Sequence, residues 1–335
     1  MREVQEIPTC RAAYLIPFID VLRDIGVPVE RELARANLPP LIEETPDDSI
    51  SNILAFKFLA RNEHRQGIDD LGWLWSKRFS LSNLSEELLA ALRPLPTVKS
   101  RLDRIALLSR LEDTSVQVGL VQSSVSAEVY CDITSPQGLN GTHIGEWTQV
   151  KVLIEIVRSI MGKNWSPEVI NFKSNFSVCN AAREETPDTR FVTNANHTSI
   201  VMSSSVLAMG KAKTRPTCSL ETFENLSDCG LNAFVRLLRP YLRGGTPKIE
   251  LLAEIAGTSR RTLQRKLQKA GVSYSELVET TRFLMATEML EDPDIPLIEV
   301  ALMFGYENQS NFGRNFRGIS GMSPGKYRRQ MLELN

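Results

Sequence analysis

The sequence of 335 residues contains few of the residues and motifs that enzymes and metal proteins need. Its three histidines, His64, His143 and His197, are far apart, and its five cysteines form no Cys-x-x-Cys pair. Residues scattered in this way do not make a zinc site. Neither a Gly-rich phosphate loop nor a Gly-x-Ser-x-Gly motif occurs. We therefore expect no catalysis, no bound metal and no cofactor.

The sequence also lacks an uninterrupted apolar run of the length that crosses a membrane. Its most apolar helical stretch, 150–161, contains Lys151, Glu155 and Arg158, and the first six residues lack the apolar core of a signal peptide. Cysteines without regular spacing are typical of reduced thiols in the cytoplasm. These absences predict a cytoplasmic protein that does not enter a membrane.

An excess of charge of either sign is missing too, since the formal net charge is −1. The distribution of charge is more informative than its sum. Residues 259–271 and 314–329 each contain five lysines and arginines and no acid, whereas acidic residues gather between them at 288–294. This layout places positive potential on two separate helices, as a nucleic-acid-binding surface requires.

Periodicity predicts two domains of different class. Helical spacing dominates the first third, and alternation between 116 and 133 predicts a β-hairpin, with further strands at 169–172 and 199–203. We therefore predict an α+β N-terminal domain of helices plus an antiparallel sheet, followed by an all-α C-terminal domain. The predicted boundaries are 1–243 for the first domain, 244–247 for a Gly-Gly-Thr-Pro linker and 248–332 for the second.

One pattern occurs twice in the last ninety residues, at 252–259 and at 298–306, each time before a basic helix. Each copy predicts a helix, a tight turn and a second helix, the arrangement that lays a helix in the DNA major groove. Small residues suit the helix crossing, glycine suits the turn, and apolar residues on the second helix should face inward. These structural positions are Ala253, Ala256, Gly257, Leu263 and Leu267 in the first unit and Ala301, Gly305, Phe312 and Phe316 in the second.

The outward positions of the two second helices are candidates for DNA contact. Arginine suits guanine, and glutamine and asparagine suit adenine. The expected base-reading residues are Arg260, Arg261, Gln264 and Arg265 in the first unit and Asn308, Gln309, Asn311 and Arg314 in the second. The expected phosphate contacts are Ser259, which should also cap its helix, and Lys266, Lys269, Arg317, Lys326, Arg328 and Arg329.

A continuous helix is predicted between the units, from 274 to 291. Its eighteen residues would span roughly 27 Å at ~1.5 Å per residue. A strut of that length suits two recognition helices separated by about one turn of DNA, ~34 Å. The sequence thus predicts that one chain reads two successive major grooves.

At these residues the chain resembles the AraC/XylS family of bacterial transcriptional regulators. The resemblance rests on 259–267, on Gly305 to Phe316 and on Gly321-Met322-Ser323-Pro324 with Tyr327-Arg328, where Pro324 is a structural position. It implies a bacterial, nucleoid-associated regulator of promoter DNA that works with RNA polymerase, most often as an activator. Two departures are Gly313 and Gly318, where the family usually has a small polar and a basic residue.

The region upstream resembles, more weakly, the arabinose-binding-like regulatory domain of one branch of this family. That resemblance implies effector sensing or dimerisation, without naming a ligand. The expected partners are a small-molecule effector and a second copy of the chain in a homodimer. Trp73, Trp75, Phe79, Trp147 and Trp165 are candidates for an effector pocket, and a plain core is the alternative. The apolar face of 222–242 is a candidate dimer contact or a buried face within its own domain.

Three functions would make use of a helix-turn-helix pair. The first is a DNA-binding regulator whose N-terminal domain senses an effector. The second keeps DNA binding but has an N-terminal domain that only dimerises or binds a protein partner. The third is an enzyme delivered to DNA by the helix-turn-helix pair, which would need the clustered zinc-binding cysteines that this chain lacks.

Overall fold

The structure is a computed structural model that describes residues 7–68, 70–133, 141–210, 230–243 and 245–334. Packing divides this part of the chain into two compact units. One comprises 8–38 and 45–210, and the other comprises 230–334 together with residue 7 and 39–44. The two units have different fold classes, as periodicity predicted: the first mixes helices with sheets, and the second is entirely helical from 230 onward.

Helices form most of the N-terminal unit. In chain order they are α1 (Ile16–Asp24), α2 (Val29–Arg35), α3 (Asn52–Gln66), α4 (Leu71–Arg78), α5 (Glu86–Leu92), α6 (Val98–Glu112), α7 (Thr142–Met161), α8 (Asn180–Glu185) and α9 (Ser204–Ala208). The strands are β1 (Thr9–Arg11), β2 (Ser49–Ser51), β3 (Val116–Gln122), β4 (Ser126–Ile133), β5 (Val169–Asn171), β6 (Arg190–Val192) and β7 (Ser199–Ser203).

The main sheet has five strands in the order β3-β4-β7-β5-β6. The predicted hairpin is confirmed, with Val118 opposite Cys131, and alternate residues of β4 are buried as a one-sided strand requires. The expectation of an antiparallel sheet is wrong for one pair, because β5 and β6 run parallel. The chain between them includes α8, which supplies the crossover connection that a parallel pair needs.

A second small sheet joins β1 to β2 in antiparallel register, with Cys10 opposite Ile50. Helical spacing from residue 49 onward favours a helix that starts at Ser49, but the helix begins at Asn52 because 49–51 pairs with β1. Three-residue strands have too little alternation to be recognised from sequence. Tertiary pairing therefore decides the structure of this segment.

An aromatic cluster lies in the core of the N-terminal unit. Trp75 is fully buried, and its ring stacks on Phe18 at 5.4 Å and on Phe79 at 4.8 Å between ring centroids. Trp73 and Trp147 contact each other at 5.4 Å. The plain-core interpretation therefore describes Trp75 and Phe79 better than the pocket interpretation does.

The C-terminal unit consists of helices only. They are α10 (Gly230–Leu242), α11 (Ile249–Ile255), α12 (Arg260–Lys269), α13 (Tyr274–Leu290), α14 (Leu297–Met303), α15 (Gln309–Ser320) and α16 (Pro324–Leu334). The apolar face of α10 packs against α13 and α11, with Phe234 and Leu237 buried, and Arg239 of α10 pairs with Glu288 of α13. This face is thus buried inside its own unit, and residues 222–229 of the predicted helix lie outside the described residues.

The segment predicted to link the domains is held to α13 by two hydrogen bonds. The Tyr274 hydroxyl donates to the carbonyl of Pro247 at 2.6 Å, and Arg282 donates to the Thr246 hydroxyl at 2.5 Å. Gly244 lies outside the described residues. Packing thus groups α10 with the helices that follow it. The domain linker at 244–247 stays a prediction. Among the described helices, none has the length and apolar character to cross a membrane.

Candidate nucleic-acid interface

The first helix-turn-helix unit is formed by α11 and α12. Gly257 between them has φ +60°, the left-handed conformation that glycine adopts without strain. The chain turns there because the Thr258 amide donates back to the carbonyl of Ala253 at 2.8 Å. Ser259 then caps α12, and its hydroxyl accepts from the Thr262 amide at 3.2 Å. The predicted turn and cap are therefore both present.

The two sides of α12 differ sharply. Leu263 and Leu267 are buried, as predicted, and hold the helix on the unit. Arg261, Gln264 and Arg265 are exposed on the other side, and within the described chain they have no hydrogen-bond partner. Three long polar side chains are thus available to an external partner, with the helix behind them fixed by packing.

Arg260 at the start of α12 has a partner in the same unit. Its guanidinium pairs with the Glu250 carboxylate of α11 at 2.8 Å, and both side chains are more than half exposed. An exposed pair of this kind contributes only ~0–1 kcal/mol. Arg260 could therefore exchange the Glu250 carboxylate for an acceptor on DNA at little cost in free energy.

The second unit repeats the geometry with α14 and α15. Gly305 has φ +76°, and the Tyr306 amide donates to the carbonyl of Ala301 at 3.0 Å. Phe312 and Phe316 are buried as predicted. Phe316 lies at the centre of an aromatic cluster that includes Phe283 of α13 and Tyr327 of α16.

The outward face of α15 is more internally bonded than that of α12. Asn308 is the cap of the helix, because its side-chain oxygen accepts from the Asn311 amide at 2.9 Å. The Asn311 side-chain oxygen in turn accepts from Arg314 at 2.6 Å. Gln309 is exposed. Sequence reasoning assigned Asn308 to base reading only and missed its capping role, which an asparagine directly before a helix indicates.

Most residues expected at phosphates are on the surface. Lys269, Arg317, Lys326 and Arg329 are exposed, and Lys266 is half-buried. Arg328 is placed differently, because its guanidinium donates to the carbonyl of Ile295 at 2.6 Å and secures the loop before α14. Pro324 is buried at the start of α16, where a residue without an amide hydrogen suits the first turn.

A polar cluster that the sequence did not reveal connects α13 to the second unit. Glu279 accepts hydrogen bonds from the Tyr306 hydroxyl at 3.2 Å, from the Asn315 amide at 2.9 Å and from Arg282 at 2.9 Å. Burial, and secondarily the charge of Glu279, raises the pKa of Tyr306 to about 12. The Glu279 carboxylate of α13 thus positions both the turn and the recognition helix of the second unit.

The two glycines of α15 lie inside a continuous helix. A methyl group built at Gly313 or at Gly318 meets no atom within 4 Å. Neither glycine is therefore needed for close packing within the described chain, and larger side chains would fit.

Comparison with known proteins agrees with this geometry. A helix-turn-helix domain family model matches residues 252–330. The chain is 36% identical over 99 residues to the ornithine utilization regulator of Pseudomonas aeruginosa, an alignment covering 30% of this chain and 29% of that protein. It is 35% identical over 94 residues to the transcriptional regulator VirS of Mycobacterium tuberculosis, with 28% of each covered. It is 33% identical over 82 residues to the probable transcription factor PqrA of Proteus vulgaris, covering 24% of this chain and 67% of PqrA.

Two solved structures of transcriptional regulators align with the chain. The transcriptional regulator CdpR of Pseudomonas aeruginosa aligns with 95% of this chain and 98% of its own, at 17% identity and a TM-score of 0.42. The DNA-binding domain of the global transcriptional factor AdpA, solved in complex with a target DNA, aligns with 30% of this chain and 90% of its own, at 31% identity and a TM-score of 0.25. The sequence alignments span less than a third of the ornithine utilization regulator and less than a third of VirS.

Proposed function

Because the chain belongs to the AraC family of DNA-binding transcriptional regulators, we propose that it reads promoter DNA through both helix-turn-helix units and activates transcription in response to a small-molecule effector. In this proposal α12 and α15 enter two successive major grooves on one side of the duplex. The N-terminal unit forms a homodimer and biases the orientation of the two DNA-binding units. RNA polymerase is the partner at the promoter.

The observation that carries the proposal is the exposed face of α12. Arg261, Gln264 and Arg265 combine donors and acceptors that match base edges in the major groove. Leu263 and Leu267 fix the backbone beneath them, so little side-chain packing must be broken for the helix to dock. Lys269 at the end of the same helix suits a phosphate oxygen.

The length of α13 supports tandem reading. Its seventeen residues correspond to roughly 25 Å at ~1.5 Å per residue. The capping box of Ser273 and Glu276 fixes the start of α13, and the cluster around Glu279 ties α13 to the second unit. A rigid strut suits two docking helices better than a flexible connection, because less conformational entropy is lost on binding.

We propose that the first unit supplies more affinity than the second. On α15, Arg314 and Asn311 bond to each other, and Gly318 offers no charge to a phosphate. Those internal bonds would have to be exchanged for bonds to DNA. On α12, Arg261, Gln264 and Arg265 have no such bonds to exchange, and the exposed pair between Arg260 and Glu250 would cost little to break.

The alternative is a regulator whose N-terminal unit only dimerises or binds a protein partner. Dense packing of Trp75 and Phe79, two of the aromatic residues considered for a pocket, favours it. The two functions differ in one measurable property, since only the first predicts that a small molecule changes the affinity for DNA.

Genome-wide mapping of bound DNA, followed by footprinting of the best site with full-length protein, tests the proposal. We expect paired sites, each with two protected blocks about one helical turn apart. Single unpaired blocks would contradict tandem reading by a dimer. A short footprint that is sensitive to salt and indifferent to sequence would contradict specific recognition altogether.

A further inference from the structure

A cavity of about 90 Å³ lies inside the N-terminal unit, among α1, α3, α6, α7 and the β3–β4 hairpin. Most of its wall is apolar, with Phe18, Phe56 and Leu153 among the lining side chains. An engineered apolar cavity of roughly 150 Å³ binds benzene. This cavity is smaller, so its size suits an organic molecule smaller than benzene, with a short chain.

The wall contains one buried polar group with no partner. The Gln149 side chain of α7 is 7% exposed and lines the cavity. Its Oε1 atom has no hydrogen-bond partner in the described chain. A buried amide oxygen without a partner costs about 1–3 kcal/mol relative to a bonded one, so such atoms are rare unless a ligand or water completes them. Because Oε1 is an acceptor, the missing partner is a hydrogen-bond donor.

The charges around the cavity indicate which donor suits it. Glu112 and Asp113 line the cavity, and no lysine, arginine or histidine of the described residues does. Glu112 is already paired with Arg11 at 2.8 Å and with the Ser85 amide at 2.9 Å. Asp113 accepts from Asn52 and from the Ser115 amide, each at 2.8 Å. An anionic ligand would meet two carboxylates and no cation, which disfavours acids.

A neutral donor fits better than a charged amine. Both carboxylates already accept hydrogen bonds from protein donors, so few of their acceptor positions remain for an ammonium group. An ammonium ion would also lose its hydration in a wall that is mainly apolar. A hydroxyl group loses far less hydration free energy on burial, and it can still donate a hydrogen bond to Gln149.

We propose that this cavity is the effector site, that it takes a small uncharged alcohol with an apolar body, and that Gln149 receives the hydroxyl hydrogen bond. The inference rests on the proposed effector control and adds the position and the chemical class of the ligand. The apolar wall holds the body of the alcohol, and the carboxylates exclude acids.

The test uses full-length protein with three probes of one chain length: 1-butanol, butanoate and butylamine. Calorimetry and thermal denaturation are measured for the native chain and for Gln149→Leu, which removes the amide. Gln117→Leu is the matched control, because Gln117 is exposed on β3 and does not line the cavity. Should Gln149→Leu fail to fold by circular dichroism, Gln149→Met offers an unbranched replacement of similar length.

We expect 1-butanol to bind and to raise the melting temperature, butanoate and butylamine to bind at least tenfold more weakly, and Gln149→Leu to bind 1-butanol at least tenfold more weakly. Gln117→Leu should match the native chain. Equal binding of 1-butanol by Gln149→Leu, a preference for butanoate or butylamine, or binding of no probe would each overturn the inference.

These readouts do not require DNA, so they separate this inference from the proposed function. DNA binding without 1-butanol binding would overturn the cavity proposal and leave DNA recognition intact. Binding of 1-butanol that depends on Gln149 but leaves the affinity for DNA unchanged would support the ligand site and overturn its role as an effector site.

Discussion

Glu279 is the residue whose removal best tests how the second DNA-binding unit is positioned. It accepts three hydrogen bonds, from Tyr306 in the turn, Asn315 on α15 and Arg282 on its own helix. Glu279→Ala would leave all three donors without this acceptor. The substitution should therefore loosen the second unit without touching the first.

The size of the effect follows from the bonds and their exposure. Hydrogen bonds to a charged group contribute about 1.5–3 kcal/mol. The Glu279 side chain is 34% exposed, so water replaces part of the loss. We expect the free energy of unfolding to fall by about 1–2 kcal/mol. Glu291→Ala is the matched control, because Glu291 is exposed at the end of the same helix and its side chain has no partner in the described chain.

Urea denaturation and footprinting of the same variants provide the assays. Glu279→Ala should weaken protection of the block read by α15 and leave the block read by α12 protected, whereas Glu291→Ala should change neither. Equal weakening of both blocks by Glu279→Ala, or unfolding indistinguishable from the native chain, would refute the assigned role of this carboxylate.

Two further predictions concern the second unit. The Tyr306 pKa of about 12 lies above the ~10 of a free tyrosine, so its neutral form stabilises the fold below pH ~10 and that stability is lost as the pH rises from ~10 to ~12. Tyr306→Phe should therefore flatten the alkaline fall in urea midpoint, and an unchanged slope would contradict the assignment. Gly318→Arg should stabilise the helix by up to ~1 kcal/mol and add about one phosphate contact, seen as tighter binding and a steeper salt dependence. No gain in affinity would contradict the proposal that the missing charge weakens the second unit.

Local chemistry made the recognition helices predictable from sequence. Glycine at a turn, serine before a basic run and leucines at helical spacing each constrain nearby backbone, and Gly257, Ser259 and Leu263 take the predicted places. The hairpin at 116–133 was predictable for the same reason, since alternation with a period of two is a local signal.

Features that depend on tertiary partners were not predictable in this way. Nothing near Arg328 in sequence indicates that its guanidinium bonds to the carbonyl of Ile295, 33 residues earlier. The cluster at Glu279 joins residues 27 and 36 positions apart. The parallel pairing of β5 and β6 also depends on a crossover that short strands do not signal. In each case packing in three dimensions decides between partners that are equally plausible in sequence.

The central claim is that the exposed face of α12 reads bases while its end contacts phosphate. The most direct measurement is the affinity of Arg261→Ala, Gln264→Ala and Lys269→Ala for the footprinted site and for its single-base variants at fixed salt. We predict that the first two lose about 1–3 kcal/mol on the native site and discriminate less between bases, whereas Lys269→Ala weakens every sequence alike. Equal weakening of every sequence by all three variants would contradict base reading by α12.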